Sequence, residues 1–98
     1  MKYGNKMTPS ELRDLAGTIT SIRDDIVDLV TRMDNRINED TANWDGNSRT
    51  QYFSDYEEII PTLTETFPSV IEGLASSLNF AADTMENADN EIADAYRR

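Results

Sequence analysis

The sequence predicts an all-α fold: a helix-turn-helix hairpin that pairs with a second hairpin in a four-helix bundle. Three observations point there. Two long ribbons of apolar residues recur at alternating steps of three and four, the spacing that lines one side of an α-helix. A cluster of turn-forming residues, Asn43-Trp44-Asp45-Gly46-Asn47-Ser48, separates them at mid-chain. The chain has 98 residues with 38% apolar content, one domain at most, and two helices touching along one line leave much of each ribbon wet.

The first helix starts at a capping box. Thr8-Pro9-Ser10-Glu11 places a hydroxyl at the cap, proline at the first helical position and a carboxylate three residues after the cap, with Met7 set to pack on Leu12 as a staple. From there Leu12, Leu15, Ile19, Ile22, Ile26, Leu29 and Met33 form one seam, and Ile37 and Trp44 continue it after a shift of phase. Arg13, Asp14, Arg23, Asp24, Asp25, Asp28 and Arg32 lie between them as a solvated face. Gly46 is the natural site for a left-handed backbone, and Ser48-Arg49-Thr50-Gln51 reads as a second capping box, with Asp45 and Asn47 as alternative caps.

The second helix carries Phe53, Tyr56, Ile60, Leu63, Phe67, Ile71, Leu74, Leu78, Ala81, Met85, Ala88, Ile92 and Ala95 at the same steps. Pro61 and Pro68 each remove a helical hydrogen bond, at a cost of about 3 kcal/mol in a regular helix. Because the apolar phase survives both, a bent helix is favoured over two separate ones. Alanines at 81, 88 and 95 would let another helix approach closely, and Arg97-Arg98 suits the negative end of the helix dipole. The whole chain, 1–98, thus reads as a single hairpin: helix at about 8–42, turn at 43–47, helix at about 48–96.

Ordering this many residues costs on the order of 1.5 kcal/mol each, and burial of apolar surface must offset it. A second hairpin would cover both ribbons, so a dimer is expected, with itself or with a related chain. Its seam would use Leu15, Ile19, Ile22, Ile26, Leu29, Met33, Ile60, Leu63, Phe67, Ile71, Leu74 and Leu78. The second helix is about 73 Å long against about 50 Å for the first, so its last residues overhang the hairpin. In an antiparallel dimer each overhang would lie beside the partner's turn.

Composition excludes several chemistries. The chain has no cysteine and no histidine, which removes disulfides, thiolate metal sites, Ser-His-Asp catalysis and the Glu-x-x-His di-iron site of helical bundles. A net charge of −10 repels phosphate backbones, so nucleic acid is not an expected partner. An acid-base pair needs a pocket that separates two pKa values, and a narrow bundle offers none. Aligning Gly46 with the glycine of a calcium loop leaves Thr41 and Tyr52 at two positions that need carboxylates. No enzyme activity, cofactor or metal is expected. The first residues lack the apolar core of a signal peptide, and no apolar run reaches spanning length.

A chain of this length with a Thr8-Pro9-x-Glu11-Leu12 start, two seam-bearing helices and a central Trp44-Asp45-Gly46 turn resembles the WXG family of early secreted antigen-like proteins. The likeness covers nearly the whole chain. Met85, Asp89, Ile92 and Tyr96 match its carboxy-terminal pattern of hydrophobic, acid, hydrophobic, hydrophobic at steps of four, three and four. The resemblance implies antiparallel hairpin dimers, made in the cytoplasm and exported folded through type VII secretion machinery of Gram-positive and mycobacterial cells without a cleaved signal. The expected location is therefore the cell surface or the medium. It also implies a membrane-bound motor ATPase that recognises the turn and the carboxy-terminal segment. Some members end in a tyrosine followed four residues later by an acid, whereas only Arg97 and Arg98 follow Tyr96, and neither Tyr52 nor Tyr56 supplies that pattern. Two expectations stay open: a complete export signal on this chain alone, or one borrowed from a partner.

Three roles fit this frame: a secreted interaction protein or export adaptor, a targeting chaperone for a larger type VII toxin, and a membrane-active effector released at acid pH. Each marked residue also has a plainer role. Trp44 plugs the end of a bundle as readily as it binds a receptor, Gly46 serves the turn, Met85, Ile92 and Tyr96 are seam residues first, and Asp89 is an exposed helix acid.

Overall fold

The computed structural model describes residues 6–97 and the side chains of 6–96; the Arg97-Arg98 pair assigned to the helix dipole lies outside those side chains. Helix α1 spans Pro9–Asp40, α2 Asn47–Pro61 and α3 Phe67–Arg97, with a π-helical turn at Thr62–Thr66 between the last two. No strand occurs among the described residues, and the all-α hairpin is the observed fold.

The amino-terminal capping box forms as the sequence predicts. The Glu11 N–H donates to Thr8 Oγ1 at 3.1 Å and the Thr8 N–H to Glu11 Oε1 at 2.9 Å, so each residue satisfies a donor that the helix start would leave unpaired. At the far end, the Thr41 N–H and hydroxyl both donate to the Ile37 carbonyl, at 3.1 and 2.5 Å, and the Trp44 N–H donates to the Thr41 carbonyl at 3.0 Å. These bonds close the last turn of α1 and start the reversal.

The second capping box does not form. α2 begins at Asn47 with Gly46 as its cap residue, and no side chain caps it. Gly46, at φ 101°, has the positive φ that an L side chain resists, and its carbonyl accepts from the Thr50 N–H at 3.2 Å. The first helical turn therefore closes on Gly46, and Ser48 is already inside the helix.

Pro61 and Pro68 leave the helical path continuous but not uniform. The Phe67 N–H donates to the Thr62 carbonyl, five residues back. A proline ring at 68 crowds the carbonyl four residues before it, and the wider π-turn makes room. Pro68 then falls in the first turn of α3, where a missing N–H costs least.

The chain divides into two compact units. In Ile22–Ile71, Ile26, Val30, Asp34 and Ile37 of α1 are half-buried, as are Phe53, Tyr56, Ile60, Leu63 and Ile71, while Pro68 is buried. The Tyr56 hydroxyl donates to Asp34 at 2.5 Å and ties the two arms of this hairpin together. The other unit joins the stretch up to Ser21 with the stretch from Glu72. Its buried residues are Leu12, Ala16, Ala75 and Ala82, three of them alanines, so the two backbones can pack closely. Ala81 is only half-buried and Ala88 and Ala95 are exposed, so within the chain the close approach uses a different row of small residues.

Candidate functional site

Two regions were marked by the sequence, the turn and the carboxy-terminal segment, together with the seam. The turn lies wholly in the Ile22–Ile71 unit. Trp44 is half-buried, Asp45 and Gly46 exposed. The Trp44 Nε1–H donates to Ser48 Oγ at 3.1 Å, and its ring lies 5.6 Å from that of Tyr52, tilted by 45°. Tyr52 is stacked with Tyr56 at 6.0 Å and meets Phe53 edge-on at 5.2 Å, and Phe53 meets Tyr56 at 5.8 Å. The Arg49 guanidinium covers the Phe53 ring at 4.5 Å. Trp44 is thus held in place by α2 and still presents part of its indole to solvent, which combines the packing role with an accessible one.

Sequence reading missed this aromatic train. Its signal was the spacing: Trp44, Ser48, Tyr52 and Tyr56 fall every four residues, and from 48 onward that is one face of a helix. Burial, and after it the bond to Asp34, push the Tyr56 phenol up to about 12. It remains a neutral donor across the physiological range.

The carboxy-terminal segment is helical and bare. Met85, Asp89, Ile92 and Tyr96 are all exposed, Tyr96 at 88%. Around its start, Arg13 Nη2 donates to Asp83 Oδ1 at 2.8 Å and to Glu86 Oε1 at 2.5 Å, a clasp between α1 and α3 within one unit. The guanidinium holds the Glu86 carboxyl below its usual range, and the two carboxylates, Glu86 first, raise the Arg13 guanidinium in turn. No local pattern announces partners 70 and 73 residues apart.

The twelve residues read as one seam divide evenly. Ile19, Ile26, Ile60, Leu63, Ile71 and Leu78 are half-buried, whereas Leu15, Ile22, Leu29, Met33, Phe67 and Leu74 are exposed at 39 to 56%. At 100° per residue the exposed seam residues of α1 lie about 45° to one side of the half-buried ones. In the Ile22–Ile71 unit, Ile22, Leu29 and Met33 are matched on the other arm by exposed Tyr52, Ile59, Phe67 and Val70. The two arms run antiparallel, so offsets of the same sign bring both stripes to the same side of this hairpin. The result is an uncovered apolar face beside an internal seam.

Among the described residues no group of three or more acidic side chains is placed to hold a metal ion, and no helix is long and apolar enough to cross a membrane. Residues 5–90 match the family model described as proteins of 100 residues with WXG. The chain belongs to the WXG100 family. Relatives of this WXG100 protein include an ESAT-6-like protein of Streptococcus agalactiae, 28% identical with 90% of this chain and 91% of that one covered. Protein YukE of Bacillus subtilis is 25% identical over 94% of both chains, and the type VII secretion system extracellular protein A of Staphylococcus aureus is 23% identical over 93% of both. The crystal structure of Geobacillus thermodenitrificans EsxA superimposes with a TM-score of 0.73 at 25% identity, covering 94% of this chain and all of that one.

Proposed function

We propose that this WXG100 protein is a secreted, non-enzymatic interaction protein or export adaptor that leaves the cell through type VII machinery as a helical-hairpin dimer. The observation that carries the reading is the uncovered apolar face. Leu29 at 54%, Phe67 at 46% and Leu74 at 56% stand among the side chains that a second copy, or a related chain, would cover. The extracellular and ESAT-6-like names of the relatives support the route of export.

In this reading the turn (Trp44, Asp45, Gly46) and the bare helix bearing Met85, Asp89, Ile92 and Tyr96 are what the secretion motor ATPase engages. Both are solvent-accessible, and both stand on regular helix or on a turn held by hydrogen bonds. Trp44→Ala is the test. It removes one hydrogen bond and one ring contact from a half-exposed site, so helical circular dichroism stays near the parent's while secretion from the native host stops. Normal secretion of a folded Trp44→Ala protein would refute the assignment of the turn. The same uncovered face suits a chaperone for a larger toxin, and a heteromer that displaces the homodimer on co-expression would favour that role.

A further inference from the structure

The side chains that α2, the π-turn and the start of α3 turn inward within the Ile22–Ile71 unit are Phe53, Tyr56, Ile60, Leu63, Pro68 and Ile71. On α3 beyond that unit the covered positions continue as Ala75, Leu78, Ala81 and Ala82. From Phe53 to Leu78 the successive steps are three and four, except for one step of five from Leu63 to Pro68. That step straddles Thr62–Thr66, where the Phe67 N–H reaches back five residues to the Thr62 carbonyl. In an α-helix one extra residue turns everything after it by about 100°. A π-turn takes up that residue without the rotation.

We infer that Thr62–Thr66 contains one supernumerary residue, and that the π-turn which absorbs it decides which side chains of α3 face inward and which stay outside. With a plain α-helical turn the run of three and four would carry from Leu63 to Phe67 and Leu74, and these large side chains would enter where Pro68 and Ala75 now lie. Pro68 is buried and Ala75 is 5% exposed, so there is no room for them. The π-turn gives the small residues to the internal contact and sends Phe67, Val70 and Leu74, at 46, 56 and 56% exposure, to the surface. That surface is the one the proposed dimer would cover, but the inference concerns the faces of a single chain and stands without a dimer.

Because the chain has no cysteine, single reporters at Ala75→Cys and Ser76→Cys read the faces of α3 directly. Ala75 is buried and Ser76 exposed, so without any deletion the Ser76→Cys thiol alkylates at least about tenfold faster than the Ala75→Cys thiol, which reacts only on opening. Deleting Thr64 is expected to leave that order and the helical circular dichroism unchanged, because the π-turn becomes an α-turn and α3 keeps its facing. Deleting Thr64 and Glu65 together removes one residue more than the π-turn absorbs, so α3 turns by about 100° and the order is expected to reverse or the cooperative fold to be lost. Reversal or unfolding on deletion of Thr64 alone overturns the inference, and so does an unchanged order on deletion of Thr64 and Glu65 together. Sedimentation of the same samples separates the two readings: a monomer that keeps the parent alkylation order removes the dimer and leaves the register device standing.

Discussion

Leu29→Ala separates the uncovered face from the internal seam most sharply. Leu29 is 54% exposed in the single chain, so truncation removes little that the hairpin uses for its own folding. Full burial of a leucine is worth about 1.5–3 kcal/mol, and roughly half of that remains to be gained when a partner covers this side chain, or about 1 kcal/mol. A symmetric dimer counts the loss twice, so dissociation should become easier by about 2 kcal/mol, a factor of about 30 in Kd. Adding Ile22→Ala, at 49% exposure and on the same side of α1, should deepen the effect to about a thousandfold if the two losses add. Sedimentation equilibrium over a concentration series measures it. Ile26→Ala is the control: Ile26 is half-buried within its own hairpin, so its truncation should lower the melting temperature of the chain at any concentration. A Kd unchanged by Leu29→Ala, or a loss of chain stability from it as large as that from Ile26→Ala, would refute the division of the seam into inner and outer halves.

Two further outcomes follow from single bonds. Tyr56→Phe removes the donor to Asp34 and should cost about 1 kcal/mol in urea unfolding at neutral pH. The folded phenol titrates at about 12, above the ordinary value of 10.0, so its contribution is complete below pH 10 and is lost as pH rises through about 12. The parent should therefore lose stability more steeply than Tyr56→Phe in that window, and parallel alkaline profiles would count against it. Glu86 carries the opposite sign: its carboxyl is lowered by Arg13, so its contribution is present above the ordinary carboxylate value of 4.5 and fades as pH falls below it. Glu86→Gln should flatten the acid limb of the stability profile, and an acid limb equal to the parent's would show that the clasp with Arg13 contributes nothing in solution.

The helices themselves were legible in the sequence because their determinants are local. The Thr8–Glu11 capping box needs only residues within one turn, and both of its bonds form. Gly46 could be named as the residue of positive φ because no other residue of the turn lacks a Cβ. The start of α2 was less legible, since Asp45, Asn47 and Ser48 each offer a capping side chain and the path of the chain through Gly46 uses none of them.

What periodicity on its own establishes is that a helix has an apolar side, and for this chain it established that much for both ribbons. It does not divide that side. Positions three and four apart form two adjoining stripes, and whether Leu15 and Ile22 or Ile19 and Ile26 meet the neighbouring helix depends on where that helix lies. Contacts across 70 residues, such as Arg13 with Asp83, are settled the same way. The π-turn adds a second ambiguity, because one absorbed residue lets the pattern be read as continuing through Phe67 and Leu74 when the chain turns Pro68 and Ala75 inward. Sequence thus determined the elements and their amphipathic sense, through bonds and spacings inside single turns. Tertiary structure decided which half of each stripe is covered within the chain and which is left exposed, because that choice is made by packing between segments far apart along the backbone.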